Sequence, residues 1–173
     1  MLLLAHSLRE FSFSKLMEVY IEGNLENAEE FYPDLPDGQK LMQAEQDFYQ
    51  YLHEVFFCMP SAVYAVWEEQ GRYLSALRLE PYRDGLLLEA LETEPSSRRQ
   101  GYAEQLICAV QNHFRDQKMY SHVGKKNLPS LRVHEKCGFR RISEHAVYID
   151  GSVNQRACTL CWENGLALQP IFC

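Results

Sequence analysis

The sequence predicts an α/β fold of the α+β kind: a mixed, mostly antiparallel central sheet flanked by helices, in a single domain over residues 1–173. Three observations carry that prediction. From Ser61 to Thr93, runs rich in Val, Leu, Tyr and Trp are separated by Gln70-Gly71-Arg72 and Arg83-Asp84-Gly85, the pattern of consecutive hairpins. On both sides of that block, apolar residues recur at helical spacing. With 173 residues, 46% of them hydrophobic and 24% charged, the chain has the size and composition of one soluble domain able to bury a core.

In chain order, Leu2 to Ala5 read as a first strand. Ser14 then caps a helix with Leu16, Val19 and Tyr20 on one face, which Gly23 and Asn24 bend or divide in two. From Asp37, residues Leu41, Ala44, Phe48, Tyr51, Leu52, Val55 and Phe56 fall at helical spacing, and Pro60 ends this second helical segment. Three antiparallel strands follow, at 61–69, 73–82 and 86–93. A helix from about Arg99 to Asp116 carries Ala103, Leu106, Ile107, Val110 and Phe114 on one stripe. Residues 119–124 form a short strand, and 127–137 a short helix with Pro129 in its first turn and Gly138 as its stop. Runs 140–149 and 155–162 flank Asp150-Gly151-Ser152-Val153-Asn154 as a terminal hairpin. There is no internal repeat.

Charge and cysteine usage narrow the functional classes. Against 17 Lys and Arg stand 24 Asp and Glu, a net charge of -7 that repels phosphate backbones, argues against nucleic acid and tolerates a cationic amine. Residues 1–8 lack the basic start and length of a secretory signal, and no stretch approaches the roughly 20 apolar residues of a membrane helix. A cytoplasmic protein without a membrane partner is expected. The dispersed cysteines Cys58, Cys108, Cys137, Cys158, Cys161 and Cys173 fit reduced, mostly buried thiols. Cys158 and Cys161 form a C-x-x-C, but strand alternation sends them to opposite faces and no second pair exists, so no metal site is expected. The histidines at 6, 53, 113, 122 and 145 show no ligand spacing either.

One stretch asks for a ligand. Residues 86–93 lead through Pro95, Ser96 and Ser97 into Arg98-Arg99-Gln100-Gly101-Tyr102-Ala103 at the start of a helix. A helix N-terminus leaves backbone N–H groups without intrahelical partners and carries partial positive charge. Gly101 bares the backbone there, Ala103 keeps the next position small, and Arg98 and Arg99 add charge, which suits a pyrophosphate. Neither G-x-x-x-x-G-K-[ST] nor G-x-G-x-x-G occurs, so no P-loop or Rossmann site is supported.

The strand, proline and R-x-x-G-x-A loop resemble those of the GNAT N-acetyltransferase superfamily, whose [RQ]-x-x-G-x-[GA] loop receives coenzyme A. Residues 127–139 look like that family's second motif, roughly N-x-x-A-x-x-L-Y-E-K-x-G-F. Asn127, Glu135, Lys136, Gly138 and Phe139 match in register, and Ser130 replaces the usual Ala. The resemblance is clear over 61–162. It implies a sheet that splays open between its fourth and fifth strands, with acetyl-CoA in the cleft. By similarity, the backbone of Leu91 and Thr93 orients the pantetheine arm and thioester. The loop of Arg98, Arg99, Gln100, Gly101, Tyr102 and Ala103 holds the pyrophosphate, and Asn127 and Ser130 line the opposite side. A homodimer is a further expectation from such families.

Acetyl transfer to an amine needs a neutral amine, a polarised carbonyl and a proton for the departing thiolate. On strict alternation Glu89 shares a face with Leu91 and Thr93 while Glu92 lies opposite, which makes Glu89 the candidate base, working through water, or else a carboxylate with no catalytic part. At the position where many family members carry a proton-donating Tyr, this chain has His134. His134 as acid, no dedicated acid, or a displaced Tyr120 or Tyr148 are the alternatives. The aromatics Phe48, Tyr49, Tyr51, Phe56 and Phe57 are mostly core, with one or two left for an acceptor pocket. The expected function is acetyl-CoA-dependent N-acetyltransfer to a primary amine of a small molecule or peptide. The alternative is a coenzyme-A-binding regulatory or interaction module without activity.

Overall fold

A computed structural model describes residues 1–165, so that Cys173 lies outside the described residues. Strand β1 (Leu2–Ala5) leads through a 3-10 turn into α1 (Phe13–Val19) and α2 (Ile21–Phe31). Ser12 rather than Ser14 caps α1, its hydroxyl accepting from the Lys15 N–H. The break between the two helices falls at Tyr20, and Gly23 and Asn24 lie inside α2. Tertiary anchoring decides this. The Tyr20 hydroxyl donates to the Ala90 carbonyl at 2.6 Å, whereas Gly23 costs a helix interior only about 1 kcal/mol.

Helix α3 (Asp37–Glu54) packs on α2, and Lys40 bridges them through Glu29 at 2.8 Å. Of its predicted stripe, Ala44 and Leu52 are buried, while Val55 stays exposed because the helix ends there and Phe56 enters a separate 3-10 turn. Strands β2 (Val63–Glu69), β3 (Arg72–Tyr82) and β4 (Gly85–Thr93) form the expected antiparallel meander. Helix α4 (Tyr102–His113) is shorter at both ends than its apolar stripe suggested. Strand β5 (Lys118–Gly124) runs parallel to β4 and is followed by α5 (Leu128–Lys136). A Cβ on Gly85 would meet the Lys118 carbonyl oxygen at 2.2 Å, so the closest approach of these two strands requires glycine.

The chain ends with β6 (Arg140–Ser143), β7 (Ala146–Val147), β8 (Val153–Asn154) and β9 (Ala157–Trp162). The predicted terminal hairpin is split, since β6 pairs with β9 in the main sheet while β7 and β8 make a ribbon of their own. A register shift beside Ser143 and the Thr159 hydroxyl, which holds the His145 carbonyl at 2.9 Å, turn the chain out of the sheet.

The main sheet has the order β1-β2-β3-β4-β5-β9-β6. One face packs Leu77, Leu79, Leu86 and Leu88 against Leu106, Ile107 and Val110 of α4 and Leu131 of α5. The other packs Tyr64, Val66 and Ala76 against Leu16, Val19, Leu52 and Phe56. Further along that second face, Tyr82, Leu87 and Tyr120 form a smaller cluster, and the Tyr82 hydroxyl reaches the Val147 carbonyl of the ribbon at 2.6 Å. Cys158 joins the first core and Cys161 the small cluster, opposite faces as alternation requires. Among the described residues no helix is long and apolar enough to cross a membrane.

Pairing between β4 and β5 stops at Leu88 and Ser121, although β4 continues to Thr93 and β5 to Gly124. A wedge therefore opens at the carboxyl ends of this parallel pair, where α4 and α5 begin. Open sheets of this kind bind ligands outside the carboxyl ends of parallel strands.

Candidate active site

The wedge is shaped by a bulge in β4. Ala76 faces Glu92 and Arg78 faces Glu89, which leaves Ala90 and Leu91 opposite Leu77 alone. Ala90 takes φ +49°, a left-handed conformation uncommon outside glycine, and Tyr20 holds its carbonyl. The extra residue inverts the alternation. Leu91 packs against the core beneath α4, and the Thr93 hydroxyl donates to Ser75 at 3.3 Å. Glu89 and Glu92 both face the α1–α3 side, where Glu89 meets Arg78 at 3.7 Å and Glu92 meets Arg98 at 3.7 Å. The expectation that Glu89 shares a face with Leu91 and Thr93, with Glu92 opposite, is corrected: a period of two holds only without a bulge.

The loop after β4 is built by Glu94. Its carboxylate accepts from the Ser96 N–H at 3.2 Å and from the Ser96 and Ser97 hydroxyls at 2.7 and 2.6 Å, winding Pro95–Ser97 into a 3-10 turn. Arg99 and Gly101 then take φ +62° and +87°. Gly101 caps α4 without a side chain, and its carbonyl accepts the first intrahelical bond from Gln105 N–H at 2.9 Å. The N–H groups of Tyr102 and Ala103 in the first turn therefore have no intrahelical acceptor. Around them, Gln100 donates to the Ser96 carbonyl at 3.2 Å, Tyr102 donates to Glu69 at 3.4 Å, and Arg99 is exposed. Arg98 turns away from the loop, donating to the Thr93 carbonyl at 3.2 Å and pairing with Glu22 of α2 at 2.6 Å.

Across the wedge, Asn127 caps α5, its Oδ1 accepting from the Ser130 N–H at 3.2 Å. His134 is 1% exposed and packs edge-on to Phe139. Its Nδ1 lies 2.8 Å from the Ser130 carbonyl, which assigns the proton to Nδ1, and its Nε2 has no partner among the described residues. Burial lowers the His134 pKa. Tyr120 sits opposite Leu87, where the strands are still paired, and donates to Asp84; burial, followed by that bond, pushes its pKa up to about 12. The Tyr148 hydroxyl accepts from Asn154 at 3.0 Å within the ribbon.

Over the bulge, a cavity of about 400 Å³ lies between α2, α3 and β4, walled by Tyr20, Asn24, Asn27, Phe31, Tyr32, Phe48, Arg78 and Ala90. Phe48 is the one residue of the expected aromatic set that lines it. Sequence reading missed Tyr20, Arg78 and Glu92. The signal for Arg78 was present, because a charge inside the apolar run 73–82 has to face something.

A mixed sheet with a parted parallel pair, a bulge at the parting and an uncapped helix start beyond it makes a cleft that ends in open backbone N–H groups, a shape suited to an extended phosphate-bearing ligand. Residues 8–139 match the model of the acetyltransferase (GNAT) family, and the chain belongs to that family, whose acyl donor is acetyl-CoA. Solved structures share the fold. The PaiA N-acetyltransferase from Thermoplasma acidophilum, in complex with coenzyme A, is 10% identical over 94% of this chain and 99% of its own, with a TM-score of 0.62. An N-acetyltransferase from Staphylococcus aureus Mu50 is 14% identical over 92% and 99% with a TM-score of 0.64. The ribosomal-protein-S18-alanine N-acetyltransferase from Escherichia coli is 14% identical over the full length of both chains with a TM-score of 0.58. No curated protein matches the chain.

Proposed function

We propose that the chain transfers an acetyl group from acetyl-CoA directly to a primary amine of a small molecule or peptide. The observation that carries this reading is the parting of β4 and β5 after Leu88 and Ser121, at the end of the sheet where the bulge and the Gly101 loop lie. When bound, acetyl-CoA supplies the acetyl group as a thioester. The residues present fit it: Leu91 and Thr93 offer backbone along the open strand edge, and the N–H groups from Arg99 to Ala103 receive the pyrophosphate at the positive end of α4. Arg99 adds charge beside them, while Arg98 instead ties the loop to α2. Asn127 and Ser130 line the opposite wall.

The acceptor approaches from the α1–α3 side through the cavity over Ala90. An alkylammonium of pKa near 10.4 must lose a proton before it attacks. Glu89, on that face beside the bulge, takes it through water. Glu92 is the second carboxylate on the same face; burial raises its pKa, and Arg98 opposes that rise. His134 is the candidate proton donor to the departing thiolate, with Nε2 as the free position because Nδ1 is committed to Ser130. Its lowered pKa confines that role to the acid side of neutrality, and at higher pH a thiol with a pKa near 8.5 leaves without a strong acid.

The test is thiol release from acetyl-CoA across a panel of amines, with cofactor affinity measured alongside. Turnover on at least one amine is expected. Binding of acetyl-CoA without turnover on any amine would assign a non-catalytic coenzyme-A-binding module instead.

A further inference from the structure

The face that carries Glu89 holds another carboxyl, for which the chemistry above has no use. Glu80 of β3 is only 6% exposed. It stands opposite Leu87 while Arg78 stands opposite Glu89, which makes Glu80 and Glu89 diagonal neighbours on one face, their carboxyls within side-chain reach of each other. A hydrogen bond between two carboxyls requires one proton between them. Arg78 supplies a single positive charge, 3.7 Å from Glu89, and lies over the rings of Tyr51 at 5.0 Å and Phe56 at 5.7 Å. The other titratable groups turned toward this cluster are phenols: Tyr51 from α3, Tyr20 from the α1–α2 junction and Tyr64 from β2. Burial raises all three pKa values, so they remain neutral and add no charge. A buried and a partly buried carboxylate beside one guanidinium would leave an uncompensated charge, which a shared proton removes. Burial, and then the neighbouring Glu89, raise the Glu80 pKa, which places that proton on Glu80.

We propose that Glu80 is a positioning residue for acetyl transfer, its protonated carboxyl donating a hydrogen bond to Glu89 while Arg78 holds the same carboxylate from the other side. The proposal rests on Glu89 acting as the base. The Glu80 proton is not consumed in turnover; Glu89 takes the proton of the acceptor ammonium and returns it to solvent. Two fixed partners leave Glu89 one direction in which to accept, toward the bulge at Ala90, and orientation of this kind is worth rate.

Two variants separate this role from mere packing. Glu80→Gln keeps a donor toward Glu89 and abolishes the titration, whereas Glu80→Ala removes both. Glu80→Gln is expected to hold kcat/KM within about twofold, and Glu80→Ala to lower kcat about tenfold at unchanged acetyl-CoA affinity, a fraction of what a general base contributes. The wild-type rate falls as Glu80 ionises, and that inflection is missing from the pH profile of Glu80→Gln. Carboxyl carbon NMR of the free protein, followed against pH, shows one glutamate that stays protonated above the ordinary carboxylate range and is missing from Glu80→Gln. Equal losses in both variants, no loss in either, or a spectrum without that protonated glutamate overturns the proposal. If Glu80→Ala fails to fold, the pH profile and spectrum of Glu80→Gln decide. A wild type that binds acetyl-CoA yet turns over no amine refutes the transfer reaction and this role with it, a result told apart by the silence of the parent protein.

Discussion

Two helices begin at the same end of the sheet, and they begin differently. Helix α5 starts at Asn127, whose side chain closes the Ser130 N–H, with Pro129 in the first turn where no donor is needed. Helix α4 starts at Gly101, left-handed and without a side chain, its first N–H groups open beside the exposed Arg99. One end is satisfied by its own sequence. The other stays open, and at φ +87° a Ser or Asp in place of Gly101 could not close it without strain. A missing side-chain cap is not in itself the mark, since α2 and α3 lack one too; at α4 it coincides with a left-handed glycine and an exposed arginine at the open end of the wedge.

The largest expected effect breaks this contrast outright. Gly101→Glu strains a left-handed position and sets a carboxylate among the open N–H groups, so acetyl-CoA affinity measured by calorimetry falls by at least about a hundredfold. Affinity equal to wild type would mean that the α4 end does not hold the pyrophosphate. Next comes Glu89→Gln, expected to lower kcat by about a hundredfold with acetyl-CoA affinity unchanged. A matching loss in Glu92→Gln, with Glu89→Gln near wild type, would move the base two strand positions past the bulge.

Smaller effects sharpen the other side of the contrast. Asn127→Ala removes a cap and no ligand contact of comparable weight, so it costs about 1 kcal/mol of stability, roughly 2–4 °C in Tm, with acetyl-CoA affinity within about threefold. Should it weaken binding as much as Gly101→Glu does, the two helix ends are equivalent and the contrast is wrong. The smallest effect is at His134. Because its pKa lies below the ordinary imidazole value, the cation is scarce at pH 8 and grows as pH falls. His134→Phe, which keeps a ring against Phe139, should therefore lose more activity at pH 6 than at pH 8, and an equal loss at both removes proton donation from His134.

Much of this was legible in the chain. The hairpin block, the order of elements and the Arg98–Ala103 loop follow from local chemistry: turn triplets, apolar periods and a glycine ahead of a helix. Those signals extend over a few residues and need no partner elsewhere. The face assignment of Glu89 was read wrongly because the bulge carries no mark in sequence. Ala90 is an ordinary strand residue until Tyr20, far away in the chain, takes its carbonyl. The break at Tyr20 was misplaced to Gly23 for the same reason, since local propensity pointed to the glycine and a long-range hydrogen bond decided.

By itself, then, the sequence determined the class of fold and the glycine turn that starts α4, because both are written in periods and turns shorter than one element. Only the tertiary structure decided which carboxylates share a face, where the strands part, which arginine stays beside the loop and that Glu80 meets Glu89. Each of these depends on contacts between residues distant in the chain or across strands, whose register a bulge of one residue is enough to reverse.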